Sequence, residues 1–193
     1  MDFYLSTALD VFDFVLLYSN GKCKKVTING RNQKKFLVKE IPNLNDLEFV
    51  DIKQFYLHFQ PDLIIRLRKV GKEYFLTYKS KINRDSTANV CNEYELPINK
   101  TIYEKLYDSK IGNVVAKKRY RIKLPDNHTA ELDVFEGLLT GLVVVEVEFE
   151  SMQDVESFIV TDWFGRDVSR EKRLINSRLS QINNLEDIKE ILK

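Results

Sequence analysis

The sequence predicts an α+β protein built on an antiparallel sheet that closes into a barrel, with a charged interior and helices packed outside. At least six segments alternate with a period of two and pair an apolar face with a charged face. Short turn signals such as Asn29-Gly30 and Gly71-Lys72 lie next to these segments. Several helical segments carry apolar stripes that need a surface to cover. If the apolar faces of the strands point outward to these helices, the charged faces line the interior.

Length and composition indicate a single domain over residues 1–193. A chain of 193 residues with 44% hydrophobic residues can bury a substantial core. The 30 Lys and Arg residues nearly balance the 29 acids, so a polyanion site has to come from local clustering of cations. Cys23 and Cys91 fit neither a zinc spacing nor a disulfide framework, which is typical of a reducing compartment. His58 and His128 are isolated and are interpreted as surface or core residues.

Targeting signals are not evident in the sequence. The N-terminal residues carry acids and no basic segment, which argues against a signal peptide. No apolar run approaches the length of a membrane span. We therefore expect a soluble cytoplasmic protein with neither a membrane nor a nucleic acid as its partner.

The first half of the chain is predicted to be mostly strands. Residues 1–28 are interpreted as an N-terminal extension that forms a β-hairpin around Asn20-Gly21. The second turn, at Asn29-Gly30, leads into a strand over 31–39, so the pattern predicts a three-stranded meander. Further strands are predicted over residues 51–59, 63–70, 73–81 and 90–98.

The second half alternates between helices and strands. A helix is predicted over 101–111, with Gly112 as its stop. Further strands are predicted over residues 114–124, 130–135 and 141–150. Further helices are predicted over residues 151–159 with Ser151 as the N-cap, 169–179, and 185–192 with Asn184 as the N-cap.

The strand at 141–150, with the sequence GLVVVEVEFE, has the most informative pattern. Val143, Val145, Val147 and Phe149 share one side. Val144, Glu146, Glu148 and Glu150 share the other side. Two interpretations are open for this strand alone: a solvated face of an antiparallel sheet, or a carboxylate pair that faces an enclosed site and holds a hard cation.

The other strands favour the second interpretation, because charges recur on one face of each. The cations on these faces are Lys35, Arg66, Arg68, Lys79, Lys117, Arg119 and Arg121. The carboxylates are Glu93, Glu95, Asp133, Glu146 and Glu148. An enclosed set of opposed charges is costly unless it holds water and a ligand. The ligand that fits is a compact polyanion with Mg²⁺ or Mn²⁺, since Arg and Lys bind phosphate oxygens and carboxylates bind the metal.

An ordered series of short segments resembles the CYTH domain, or triphosphate tunnel metalloenzymes, and the compact bacterial members most. This family includes inorganic tripolyphosphatases, thiamine triphosphatases, class IV adenylyl cyclases and RNA triphosphatases. The match runs from about Gln33 to Leu179 and places the core at 31–179, followed by a C-terminal helix at 184–193. The segments that carry it are KKFLV (34–38), QFYL (54–57), IIRLR (64–68), YFLTYKS (74–80), EYE (93–95), KKRY (117–120), ELD (131–133), EVEF (146–149) and WFGRDVS with RLIN (163–176).

The resemblance implies an eight-stranded antiparallel β tunnel that holds a triphosphate and Mg²⁺ or Mn²⁺. It implies phosphate contacts for Lys35, Arg66, Arg68, Lys79, Lys117, Arg119 and, from the C-terminal helix, Arg173. It implies metal-side roles for Glu93, Glu95, Asp133, Glu146 and Glu148. Lys35, Glu146 and Glu148 are the residues it marks as catalytic. A homodimer is a further possibility.

One departure from the family pattern lies on the first strand. The signature Glu-x-Glu-x-Lys falls on residues 31–35, where Arg31 and Gln33 replace both glutamates and Lys35 is kept. The function predicted is a metal-dependent phosphohydrolase acting on tripolyphosphate or on a nucleoside or organic triphosphate. The first alternative is a module that binds polyphosphate or nucleotide without turnover, and the second is a class IV adenylyl cyclase.

Overall fold

The computed structural model describes residues 24–29, 32–81 and 90–193, with side chains from 32 to 80 and from 92 onward. These residues form two compact units. Unit 1 contains the described residues among 24–29 and 53–114, and unit 2 contains 32–52 and 115–193. The prediction of a single domain stays a prediction. None of the described helices is long and apolar enough to cross a membrane.

The described residues form ten strands, three short α-helices and three 3-10 turns. The strands are β1 (Lys24–Asn29), β2 (Gln33–Val38), β3 (Phe49–Gln60), β4 (Leu63–Val70), β5 (Glu73–Lys81), β6 (Val90–Ile98), β7 (Ile111–Lys123), β8 (Thr129–Glu136), β9 (Val143–Glu148) and β10 (Phe164–Asp167). The helices are α1 (Lys100–Tyr107), α2 (Met152–Ser157) and α3 (Asn176–Leu179). The 3-10 turns are Gly137–Leu139, Lys172–Leu174 and Leu185–Ile188.

Unit 1 is an antiparallel arrangement of strands covered on one face by α1. Strands β1, β6, β5 and β4 pair in that order. The alternating residues of these strands put Leu67, Leu76 and Leu96 into one buried cluster with Phe55 of β3. Asn99 caps the N-terminus of helix α1, and its side chain accepts a hydrogen bond from the backbone N–H of Ile102. The helix packs against the same cluster through three residues. These are Ile102, Tyr103 and Leu106. Charged side chains lie on the opposite face of β4, β5 and β6.

Unit 2 has strands β7, β8, β9, β2 and β10 in that order, and the described pairings are antiparallel. One face of these strands is apolar and packs Phe36, Leu132, Val145 and Val147 against Phe158. The other face is apolar at one end only. There the sheet residues Val115, Phe135 and Val144 pack against Val168, Leu174, Leu179, Ile188 and Ile191 of the C-terminal segment.

The predicted class, an α+β protein that is mostly antiparallel sheet with few helices, is confirmed. The count of eight strands is wrong, because the described residues form ten. The predicted closure is not observed either, since the described pairings within each unit follow a linear order. Strand β10 was missed because it has only four residues and an irregular register with β2, too short to show alternation.

Two local predictions are also wrong. The meander around Asn29-Gly30 does not form, since β1 pairs with β6 while β2 pairs with β9 and β10. The hairpin around Asn20-Gly21 lies outside the described residues. The helix predicted over 169–179 is broken into a 3-10 turn and α3. Side chains explain the break: Asp167 accepts from the Ser169 N–H, and Glu171 accepts from the Arg173 N–H, a local bonding pattern that competes with a helix.

The other helix predictions differ mainly in length. Helix α1 ends at Tyr107, earlier than predicted, and Gly112 with φ +69° lies inside β7. Ser151 is the N-cap of α2, as predicted. The segment after Asn184 has the predicted cap but forms a 3-10 turn over Leu185–Ile188.

Candidate functional site

Strands β2 and β9 bring together the first-strand lysine and the two glutamates of β9. The antiparallel register places Lys35 opposite Glu146 and Gln33 opposite Glu148. Lys35 Nζ lies 2.7 Å from Glu146 Oε1, and Glu146 is only 22% exposed. Glu148 lies at the exposed end of the strand. The carboxylate of Glu146 is therefore part of a partly buried ion pair rather than a solvated surface group.

Strands β7 and β8 contribute the other charges of the same face. Arg119 donates from Nε and Nη2 to the two oxygens of Asp133, both at 2.7 Å. Lys117 Nζ also donates to Asp133 Oδ2, and Arg119 donates to Glu131. Arg119 Nη2 lies 3.6 Å from Glu146 Oε2, which links the two strand pairs. We call this set the charged face of unit 2: Gln33, Lys35, Lys117, Arg119, Glu131, Asp133, Glu146 and Glu148.

Burial and charge pairing act against each other on this face. Burial raises the pKa of Asp133, but Lys117 and Arg119 outweigh it, and the pKa of Asp133 lies below its usual range. Burial also raises the pKa of Glu146, but Lys35 and Lys117 together outweigh it, and the pKa of Glu146 lies below its usual range. Burial lowers the pKa of Lys117, with Asp133 opposing, and the carboxylates raise the pKa of Arg119 despite its burial. These shifts keep the carboxylates ionised and the guanidinium charged.

The C-terminal segment of unit 2 holds Lys35 in place. Lys35 Nζ donates to the Leu174 carbonyl at 3.2 Å. The Lys35 backbone N–H donates to Ser169 Oγ at 2.9 Å. The Leu174 side chain is buried in the apolar end of the same face. Packed parts of the chain thus fix the position of the Lys35 ammonium group. A group that is to bind phosphate strongly has to be preorganised in this way.

Unit 1 carries a second group of the predicted charges on β4, β5 and β6. Arg68 Nη2 donates to Glu95 Oε2 at 2.7 Å. Glu93 lies 3.8 Å from Arg66 Nη2 and 3.6 Å from Lys79 Nζ. We call Arg66, Arg68, Lys79, Glu93 and Glu95 the charged face of unit 1.

Arg66 interacts with two uncharged polar residues of unit 1, Thr77 and Tyr56, and Gln54 bonds to Tyr56. Arg66 Nη2 donates to Thr77 Oγ1 at 3.3 Å, and Gln54 Nε2 donates to Tyr56 Oη at 2.6 Å. Burial raises the pKa of Tyr56 to about 12 although Arg66 lowers it, so the phenol stays neutral. Arg66 Nε is buried and has no hydrogen-bond partner among the described residues. A buried guanidinium N–H without a partner is costly, and a phosphate oxygen would satisfy it.

Most of the predicted site residues lie on the charged face of unit 1 or on the charged face of unit 2, and Arg173 pairs with Glu171. Arg173 is 56% exposed, and its guanidinium donates to both oxygens of Glu171, at 2.9 and 2.8 Å. Hydrogen bonds from Arg173 lower the pKa of Glu171 to about 2. Arg121 is also largely exposed. A role for Arg173 in phosphate binding stays a prediction.

Four polar residues of these faces were not among the predicted site residues. Glu131 alternates with Asp133 and shares its face, so the period of two could have identified it. Gln54, Tyr56 and Thr77 could be placed on the charged side by the same alternation. Their burial next to Arg66, however, depends on how β3, β4 and β5 pack.

The donor set for a metal ion is small. The described residues contain no group of three or more His, Cys, Asp or Glu that could hold a metal. Glu146 and Glu148 are two carboxylates on one face of β9. Mg²⁺ in proteins is commonly held by one or two carboxylates together with substrate phosphates, not by a complete protein cage. The pair fits an ion of that kind.

A cleft of about 770 Å³ lies in unit 2 at the turn between β7 and β8. It is lined by Arg121, Lys123, Asp126, Asn127, His128, Thr129, Glu131, Glu148, Glu150 and Asp154. The His128 ring nitrogens lie 2.9 Å from Asp126 Oδ2 and 3.2 Å from Asp154 Oδ1. The ring also packs against Phe149 and Phe158. His128 therefore joins the turn to helix α2 and has a structural role.

The His128 contacts predict a pH-dependent stability. A hydrogen bond to Asp126, and a second one to Asp154 with a smaller effect, raise the pKa of His128 above 6.5. The charged imidazole therefore stabilises the fold fully below the unfolded pKa, and this contribution is lost as the pH rises through the folded pKa. In urea titrations we expect the free energy of unfolding to fall as the pH rises above 6.5 and through the raised pKa of His128, and to fall less in His128→Gln. An unchanged slope in His128→Gln would contradict the assignment.

Comparison with known proteins identifies close relatives over most of the chain. The chain is 42% identical over 151 residues to an inorganic triphosphatase from Nitrosomonas europaea, covering 77% of this chain and 95% of the relative. It is 32% identical over 149 residues to an inorganic triphosphatase from Acetivibrio thermocellus, covering 76% of this chain and 90% of the relative. The crystal structure of the inorganic triphosphatase NE1496 superposes with a TM-score of 0.65 at 38% identity, covering 82% of this chain and 99% of that structure. No model of a protein family matches the chain.

Proposed function

The chain belongs to the CYTH, or triphosphate tunnel metalloenzyme, family, and from that premise we propose that it hydrolyses inorganic tripolyphosphate with the aid of a divalent metal ion. In the reaction, water forms a bond to a terminal phosphorus and the bridging P–O bond breaks, giving orthophosphate and pyrophosphate. The observation that carries the proposal is the charged face of unit 2. It combines a cation cluster for phosphate oxygens with a carboxylate pair suited to a hard cation.

The cations of unit 2 are proposed to bind phosphate oxygens and to offset the charge that develops on the leaving phosphate. Lys35 and Arg119 both approach Glu146, so one ligand oxygen placed near that carboxylate would lie within reach of both. Lys117 is 4% exposed and lies on the same face. In a poorly hydrated site such fixed charges stabilise a transition state more strongly than they would in water.

Glu146 and Glu148 are proposed to hold Mg²⁺ or Mn²⁺. When bound, such an ion supplies positive charge to the phosphate oxygens. Glu93, Glu95 and Asp133 were predicted as metal-side acids. Each of them is ion-paired with cations in the described structure. This pairing supports a proposal that they position the cations of their own unit.

The charged face of unit 1 is proposed to bind phosphate as well. Its cations are Arg66, Arg68 and Lys79, on neighbouring strands β4 and β5. The buried Nε of Arg66 supports the proposal, because it is a donor with no partner among the described residues. We also propose a cytoplasmic location; a homodimer stays a prediction.

The test is phosphate release from tripolyphosphate and from ATP, each with Mg²⁺ and with Mn²⁺. We expect release from tripolyphosphate that requires the metal and is abolished in Glu148→Gln. The matched control is Glu156→Gln, the same substitution at an exposed position of α2, which should keep wild-type activity.

Two other outcomes would replace the proposal. Tight binding of tripolyphosphate without turnover under either metal would indicate a binding module. Formation of cyclic AMP and pyrophosphate from ATP would indicate an adenylyl cyclase.

A further inference from the structure

The position on β2 that faces Glu148 is occupied by an uncharged side chain. Gln33 is the cross-strand partner of Glu148 in the antiparallel register. Side chains at such paired positions lie close enough to act on the same ligand. Gln33 can offer one amide oxygen, whereas a carboxylate there would offer two charged oxygens. The carboxylate pair of β9 thus receives no negative charge from the β2 position opposite Glu148.

The Glu146 carboxylate of the pair is engaged by two cations. Glu146 lies 2.7 Å from Lys35 Nζ and 3.6 Å from an Arg119 nitrogen. A divalent cation that approached Glu146 in the free protein would be repelled by both positive groups. Oxygens of a triphosphate would attract Lys35 and Arg119 to themselves and leave Glu146 available to a metal. Each ligand therefore improves the site for the other.

From this geometry, and resting on the proposed function, we infer that the free protein binds a divalent cation weakly and takes it up together with the triphosphate. Gln33 makes metal binding depend on the triphosphate, because a carboxylate at this position would attract the ion without the triphosphate. Because coupling between two ligands is reciprocal, the metal increases triphosphate affinity by the same factor.

The first experiment measures Mn²⁺ binding to the full chain without substrate, by electron paramagnetic resonance of free Mn²⁺. We expect Gln33→Glu to bind Mn²⁺ at least about tenfold more tightly than the wild type, because the added carboxylate brings a negative charge and two oxygens next to the ion. The matched control is Lys34→Gln, which changes the net charge by the same amount. Lys34 neighbours Gln33 but pairs with Val147 in the register, so its replacement should leave Mn²⁺ affinity within about twofold of the wild type.

The second experiment adds a triphosphate analogue in which imido groups replace the bridging oxygens. Mn²⁺ bound by the protein is counted against protein-free samples with the same analogue concentration. We expect wild-type affinity for Mn²⁺ to rise at least about tenfold with the analogue, and the rise to be smaller in Gln33→Glu.

The outcomes separate this inference from the proposed function. If the free wild type binds Mn²⁺ as tightly as it does with the analogue, or as tightly as Gln33→Glu does, the inference is overturned while tripolyphosphate hydrolysis can still be observed. If the analogue does not bind with or without Mn²⁺, and no phosphate is released from tripolyphosphate, the proposed function and the inference both fail.

Discussion

The Lys35→Met variant is expected to lose at least about a hundredfold in kcat/KM for tripolyphosphate, or about 2.7 kcal/mol of transition-state stabilisation. Lys35 Nζ lies 2.7 Å from Glu146 and is also held by the Leu174 carbonyl. A methionine keeps the apolar stem but removes the positive charge that would meet a phosphate oxygen. The loss is measured by steady-state phosphate release with Mg²⁺.

The matched control for this variant is Lys34→Met, which makes the same substitution on the opposite face of β2. Lys34 pairs with Val147 and lies over the ring of Phe158, away from the charged face. Its replacement should leave kcat/KM within about twofold, because a distant, screened charge contributes little. Equal losses in the two variants would show that a general effect of charge, and not the placement of Lys35, determines activity.

The Asp133→Asn variant is expected to lower the free energy of unfolding by about 3–5 kcal/mol. Asp133 is 1% exposed and accepts from Lys117, which is 4% exposed, and from Arg119. Replacing the carboxylate leaves the Lys117 ammonium buried without its counter-charge. Urea denaturation monitored by circular dichroism measures the loss.

The pH dependence of Asp133→Asn provides an independent check. Without Asp133, burial should depress the pKa of Lys117 further below its usual 10.5. The unfolded variant then binds more protons than the folded variant, so its stability should increase as the pH rises toward 10.5. The matched control is Glu136→Gln, which removes the partner of Lys118 on the same two strands and should cost much less, because an ion pair open to solvent contributes little to stability. A similar loss of stability in the two variants would show that the burial of the Asp133 ion pair does not determine the loss.

Much of the candidate site could be predicted because strand alternation is a local property. The period of two places Glu146 and Glu148 on one face of β9 and Val145 and Val147 on the other, and the structure has them so. The same reasoning placed Lys117 and Arg119 together on β7. A charged side chain in the middle of an apolar strand is a strong constraint, because it has to find a partner or water.

The other features of the site depend on which strands are adjacent and in what register, and a local sequence pattern does not contain this information. That Gln33 faces Glu148 follows from the register of two strands far apart in the sequence. That Glu146 is shared by Lys35 and Arg119 requires β2, β9, β8 and β7 to be adjacent. The role of Arg173 in binding the ligand is implied by the family resemblance alone and stays a prediction; its guanidinium is bonded to Glu171 two residues away. Local bonds between side chains and backbone also shortened the helices of the C-terminal segment.

The placement of β2 between β9 and β10 determines the order in which the two units can be completed during synthesis. Strands β4, β5 and β6 of unit 1 are neighbours in the chain and can pair as soon as they leave the ribosome. Lys35 is made earlier, but its backbone partner Ser169 follows 134 positions later, and contacts of such long range form slowly. Strand β2 therefore cannot form its pairings with β9 and β10 until those strands have been synthesised. A nascent chain that stops before Ser169 can contain the paired strands of unit 1, but the lysine that the proposed reaction needs is not yet held in place.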